Sequence, residues 1–234
     1  MYLEYNLPKI IDEIVNIYCI IFLYCNSTVK FCGVKMFDKG KEITMVILLG
    51  GVSCSGKTVM AQKLLEKYKI PYLSIDHIKM GLIRGSKYCD FSATDGDDKL
   101  TNKLWPIVKG IIMTNIENGQ HIIIEGCYLP PQHIRDFEPE YLEQIISLYI
   151  GFSKDYLEKH FDSGIVEHRS EIEQKDCDDY MNRDNFIKLH SQIKELCKNN
   201  NANFFEINDD YVGEMNHVYK WIDEQVEAKR KRYN

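Results

Sequence analysis

The sequence predicts an α/β fold, a five-stranded parallel sheet with helices on both faces joined by right-handed crossovers. Three observations carry that prediction. Five short apolar runs, at 46–49, 71–75, 121–124, 145–150 and 203–207, alternate with segments whose apolar residues recur at helical spacing. The first run is apolar throughout, as expected of a strand buried on both faces, and it leads straight into a loop bounded by glycines. The second and third runs each end at an acid, Asp76 and Glu125, and the carboxyl edge of an open parallel sheet is where ligands bind.

Residues 1–44 read as an N-terminal extension ahead of a domain spanning 45–234. The apolar stretch at 14–24 is broken by Asn16 and is too short for a membrane span, so a buried helix, an interfacial helix and a strand all fit it. A polar stretch at 38–42 closes the extension, and Met36 and Met45 are both candidate translation starts. After the first strand, Val59, Met60, Leu64, Leu65 and Tyr68 mark a helix that Pro71 cannot continue.

The second strand, 71–75, ends at Asp76, with a helix or turn over 78–84 and a polar loop over 85–98. A long helix follows on Leu100, Leu104, Val108, Ile111, Ile112 and Ile116, with Pro106 either opening its second part or kinking it. Strand three is 121–124 and strand four 145–150. Residues 153–201 are charged and helical, which suits a solvated helix pair or a lid whose arginines, Arg169 and Arg183, close over phosphates and exclude water. Strand five, 203–207, and a helix over 211–229 with Val218, Trp221, Ile222 and Val226 on its apolar side complete the domain.

The loop itself is Gly51-Val52-Ser53-Cys54-Ser55-Gly56-Lys57-Thr58, a complete phosphate-binding sequence between a strand and a helix. Gly51 and Gly56 let the backbone turn inward. The N–H groups of Ser53, Cys54, Ser55 and Gly56 then face an anion that also meets the positive end of the following helix. Lys57 supplies a point charge for the β and γ phosphates, and Thr58 offers an oxygen to Mg²⁺. The chain is therefore expected to bind a nucleotide.

Composition narrows the partners. A net charge of −6 over 234 residues disfavours a surface built for nucleic acid, and the basic run 229–232 suits the negative pole of the last helix. Eight cysteines, scattered and without a Cys-x-x-Cys pair, point to a reducing cytoplasm rather than a disulfide framework.

From about Met45 to the closing helix, the chain resembles the small-molecule kinases of the P-loop nucleoside and nucleotide kinase superfamily, which includes adenylate, gluconate and shikimate kinases. The segments 76–84 and 124–130 resemble bacterial proteins called adenylate kinase-like or 2-phosphoglycerate kinase-like. This resemblance implies the three-layer sandwich of P-loop NTPases with a helical lid, ATP and Mg²⁺ as cofactors, and a small-molecule phosphate acceptor bearing a hydroxyl or phosphate. It further implies that Lys57 and Thr58 hold the phosphates and metal, and that Asp76 takes the acceptor's proton, although an aspartate there also suits a helix cap. Glu125 stands where related kinases keep an acid near the metal's water shell, with substrate hydroxyls or a base as its alternative partners. Arg84 is a clamp for an anionic acceptor or a member of a surface ion pair, and Arg169 and Arg183 are the lid candidates. A zeta-toxin-like nucleotide-sugar kinase and a nucleotide-binding switch without an acceptor are the alternatives. No Asn-Lys-x-Asp guanine-reading stretch occurs, so adenine is the expected base.

Overall fold

A computed structural model of the chain describes residues 43–168 and 182–233. The stretch 14–24 and Arg169 lie outside the described residues. Ile43 and Thr44, ahead of the first strand, are already buried.

Five strands, β1 (Val46–Gly51), β2 (Tyr72–Ser74), β3 (Ile122–Gly126), β4 (Ile145–Phe152) and β5 (Phe204–Ile207), form one parallel sheet in the order β2-β3-β1-β4-β5. β1 lies at the centre, buried at all six positions, and its alternating side chains feed two cores. Ile47 and Leu49 face one, Val46 and Leu48 the other. The expected three-layer α/β sandwich is thus the observed architecture.

Helix α1 (Lys57–Tyr68) packs Met60, Ala61 and Leu64 into the first core. It stops at Lys69, whose left-handed conformation (φ 58°) returns its N–H to Leu65 O. The last helix joins the same layer through Met215, Val218, Ile222 and Val226. On the opposite face lie α2 (Ile75–Gly85) and α3 (Asp97–Glu117), the latter burying Leu100, Leu104, Trp105, Val108, Ile112 and Ile116. Each such fully buried aliphatic contributes on the order of 1.5–3 kcal/mol.

Pro106 does not open a second helix: α3 runs through it as one element. The proline sits on the exposed face, where water can replace the donor it withholds from the preceding turn.

After a 3₁₀ turn (Pro131–Asp136) and the short α4 (Pro139–Leu142), β4 leads to α5 (Lys154–His160), capped by Ser153 Oγ accepting the Tyr156 N–H at 3.2 Å. A π turn (Phe161–Val166) follows. Helix α6 (Arg183–Asn199), capped by Asn182 Oδ1, ends the 153–201 stretch, of which 169–181 lie outside the described residues. It buries Phe186, His190 and Cys197, so its inner side packs against the sandwich. Its mean composition is polar because only one side meets the core, and that asymmetry reads from sequence as a solvated helix. Helix α7 (Tyr211–Tyr233) closes the chain.

No helix among the described residues is long and apolar enough to cross a membrane.

Candidate active site

Strand order and register create the cleft. The chain winds to one side of β1 through β2 and β3, then to the other through β4 and β5, so a crevice opens at the carboxyl edge beside β1. There, Leu49 stands opposite Glu125 and Gly50 opposite Gly126, while Ser74 on β2 also stands opposite Glu125. Two residues beyond Ser74 lies Asp76. One cleft of about 400 Å³ is accordingly lined by residues 53–59, Asp76, Glu125 and Cys127.

The loop has the shape its glycines require. Gly51 has φ 137° and Gly56 φ 85°. A Cβ on the first would collide with the Ile150 carbonyl, and one on the second with the Tyr211 hydroxyl. Cys54 also adopts a left-handed conformation, φ 58°, and alternation of this kind turns successive N–H groups toward one point. Its side chain packs against the first core. Lys57 is buried, and its Nζ donates to Val52 O at 2.6 Å and to Ser55 Oγ at 3.4 Å, so the ammonium is held within the loop. Thr58 lines the cleft in the next position.

Asp76 is not on a strand tip, as expected, but in the first turn of α2, because Ser74 ends the strand as the helix N-cap. There it pairs with Lys79 Nζ at 2.7 Å. Lys79 in turn donates to the Tyr128 hydroxyl at 3.1 Å and lies 5.0 Å from that ring's centre. Although burial opposes it, the bonds to Asp76 and Tyr128 hold the Lys79 ammonium above its ordinary pKa. Desolvation raises the Asp97 carboxyl at the start of α3; Lys79 opposes that rise, and Asp98 and Asp76 add to it. Burial likewise pushes the Cys127 thiol up. Glu125 is buried on β3, 3% exposed, at the floor of the cleft.

The other wall is aromatic. Phe152 and Tyr156 stack with ring centres 4.8 Å apart, and Tyr211, Val212, Ile165 and His168 complete it. Phe152 is fixed from behind: its N–H donates to His190 Nδ1 at 2.9 Å. Burial, with repulsion from Lys57, pulls the His190 pKa down to about 3, so its ring is neutral, and among the described residues Nε2 has no hydrogen-bond partner.

The predicted loop residues Ser53 to Thr58, Asp76 and Glu125 therefore share one cleft, with Gly51 shaping the loop's entry. Two predicted arginines do not join it. Arg84 is exposed in the last turn of α2, and Arg183 lines a separate hollow with Phe161 and Asp162, because α6 packs on the sheet instead of crossing the site. His77 is exposed, Tyr88 is 73% exposed, and Trp105 is a core residue stacked on His133. Lys79 was legible as an i,i+3 partner of Asp76. Phe152, Tyr156 and Tyr211 carried no such signal, since their meeting depends on how distant elements pack.

Residues 44–193, more than half of the chain, match the family model described as chloramphenicol phosphotransferase-like protein. Among solved structures, the chain is similar to a protein from Chloroflexus aurantiacus j-10-fl (15% identity, 78% of this chain and 98% of that one covered, TM-score 0.49). It is also similar to shikimate kinase from Aquifex aeolicus vf5 (14% identity, 78% and 98% covered, TM-score 0.43). Among curated proteins, nothing matches.

Proposed function

Because the chain belongs to the chloramphenicol phosphotransferase-like family and is a P-loop phosphotransferase, we propose that it moves the γ-phosphate of ATP to a hydroxyl of a small acceptor. One observation carries this reading: the phosphate loop with Lys57 and Thr58, and the carboxylates Asp76 and Glu125, line the same cleft.

The residues suit the groups they would hold. A cradle that a Cβ would fill at Gly51 and Gly56, followed by a helix N-terminus, fits a triphosphate tail. Thr58 Oγ1 would bind Mg²⁺ directly, with Glu125 on its water shell. When bound, the metal would supply neutralisation of the phosphate charge. Lys57, exchanging Val52 O for a phosphate oxygen, stabilises charge as the γ-phosphoryl group departs. Asp76 accepts the acceptor's hydroxyl proton while that oxygen forms a bond to γ-phosphorus and the bond to the β-γ bridging oxygen breaks, releasing ADP. The tyrosine and phenylalanine wall, with Val212 at its mouth, offers the base an apolar surface.

Charge favours a hydroxyl acceptor that carries no phosphate. Among the described residues beyond the phosphate loop, Asp76, Glu125 and His168 line the cleft, Asp97 lies near enough to Asp76 to feel its charge, Lys79 is already paired, and Arg84 stands outside the cleft. An anionic acceptor would meet net repulsion there, whereas an uncharged or cationic one would not. Chloramphenicol, an uncharged molecule with hydroxyl groups, heads the candidate list because of the family's name.

The test is incubation with γ-labelled ATP and Mg²⁺ against chloramphenicol and a panel of uncharged, cationic and phosphorylated alcohols. Labelled product from the first two groups, absent with Asp76→Asn, is the expected result. Hydrolysis without transfer to any acceptor would instead favour a nucleotide switch.

A further inference from the structure

We propose that Lys79 is a positioning residue for Asp76: braced by Tyr128, it fixes the direction of the carboxylate that faces the acceptor. The inference rests on the reading of Asp76 as proton acceptor given above.

A lysine three residues after an aspartate on a helix is ordinary, and in the open such a pair contributes only about 0.2–0.5 kcal/mol. This pair differs in three respects. It is sheltered, with side-chain exposures of 13% for Lys79 and 25% for Asp76, so water competes less for the contact. The ammonium has a second partner, the Tyr128 hydroxyl, from a segment 49 residues away. It also lies over the Tyr128 ring, which removes the freedom a long side chain otherwise keeps.

Tyr128 is itself anchored. It is buried in the second core, two residues beyond the end of β3 and three beyond Glu125. The floor of the cleft and the group that steadies Asp76 therefore come from one stretch, 125–128. Asp76 and Tyr128 take two of the three ammonium donors. Lys79 is thus a brace and not an anion-binding arm, consistent with its absence from the cleft lining. A carboxylate locked in one rotamer meets the incoming hydroxyl without reorganisation, which is where such second contacts raise turnover rather than affinity.

The experiment needs no knowledge of the acceptor, because water can take the acceptor's place in slow hydrolysis of ATP. The full chain, Asp76→Asn, Lys79→Met, Lys79→Arg and Tyr128→Phe are compared for hydrolytic turnover, for ATP dissociation constant by calorimetry and for Tm. Lys79→Met is expected to cut turnover tenfold or more with ATP affinity within twofold of the parent. Lys79→Arg should restore turnover to within threefold, and Tyr128→Phe should fall between. Unchanged turnover in Lys79→Met, or Lys79→Arg as impaired as Lys79→Met, overturns the role of Lys79 while leaving Asp76 in place. Should Asp76→Asn turn over like the parent, the reading of Asp76 fails and the brace with it.

Discussion

The hydroxyl of Tyr211 sits directly against Gly56, so closely that a methyl group on that glycine would overlap it. The contact joins the first residue of the last helix to the turn that opens the first. It is held by Glu214, whose Oε1 accepts the N–H groups of Asn208 and Asp209, each at 2.9 Å, tying the loop after β5 to the start of α7. Desolvation works against the Glu214 carboxylate, but these backbone donors outweigh it and keep its pKa below the ordinary value.

Gly56→Ala is therefore expected to damage the nucleotide site by two routes, a strained left-handed backbone and a collision with Tyr211. ATP affinity should fall at least tenfold, with a stability loss of about 1–3 kcal/mol. Adding Tyr211→Ala relieves only the collision, so the double variant should regain stability more than affinity. Calorimetric titration with ATP and thermal melts check both.

Lys57→Ala and Asp76→Asn should separate binding from chemistry. The first removes the buried ammonium from the phosphate cradle and is expected to weaken ATP binding or its turnover by tenfold or more. The second should leave ATP affinity within about twofold and reduce transfer roughly a hundredfold, the usual scale of a lost general base. Normal transfer by Asp76→Asn would remove that residue from the reaction.

His190 makes the fold acid-sensitive. Its folded pKa of about 3 lies below the ordinary 6.5, so the folded state favours the neutral ring and the unfolded state takes up the proton first. The associated stability is intact above about pH 6.5 and declines by about 1.4 kcal/mol per unit as pH falls toward the folded value, near 2 kcal/mol at pH 5. His190→Gln should flatten the difference in Tm between pH 7 and pH 5 relative to the parent. Equal slopes in the two proteins would contradict the assignment.

Val212 lines the cleft with 68% of its surface exposed, an apolar side chain offered to whatever enters there. As a contact for the nucleotide base, it predicts that Val212→Glu weakens ATP binding several-fold and leaves Tm unchanged, while binding of inorganic tripolyphosphate stays near the parent value. Parallel loss for both ligands would place the effect on the phosphates instead.

Local chemistry made much of this molecule legible. The phosphate loop announces itself because glycines, lysine and hydroxyl must follow one another at fixed spacing between a strand and a helix. The five strands and the stripe Leu100, Leu104, Val108, Ile112 and Ile116 follow from periodicity. Less legible was α6, whose mostly polar surface disguised three buried residues, Phe186, His190 and Cys197.

Sequence alone thus determined the order of elements, the anion cradle and the acids standing near strand ends, since each depends on neighbours along the chain. Tertiary structure decided which side chains share the cleft. Register between β1, β2 and β3 brings Asp76 and Glu125 to the loop, and Phe152, Tyr156 and Tyr211 arrive from separate segments. Such meetings are fixed by strand pairing and close packing across long stretches of chain, and no local pattern encodes them.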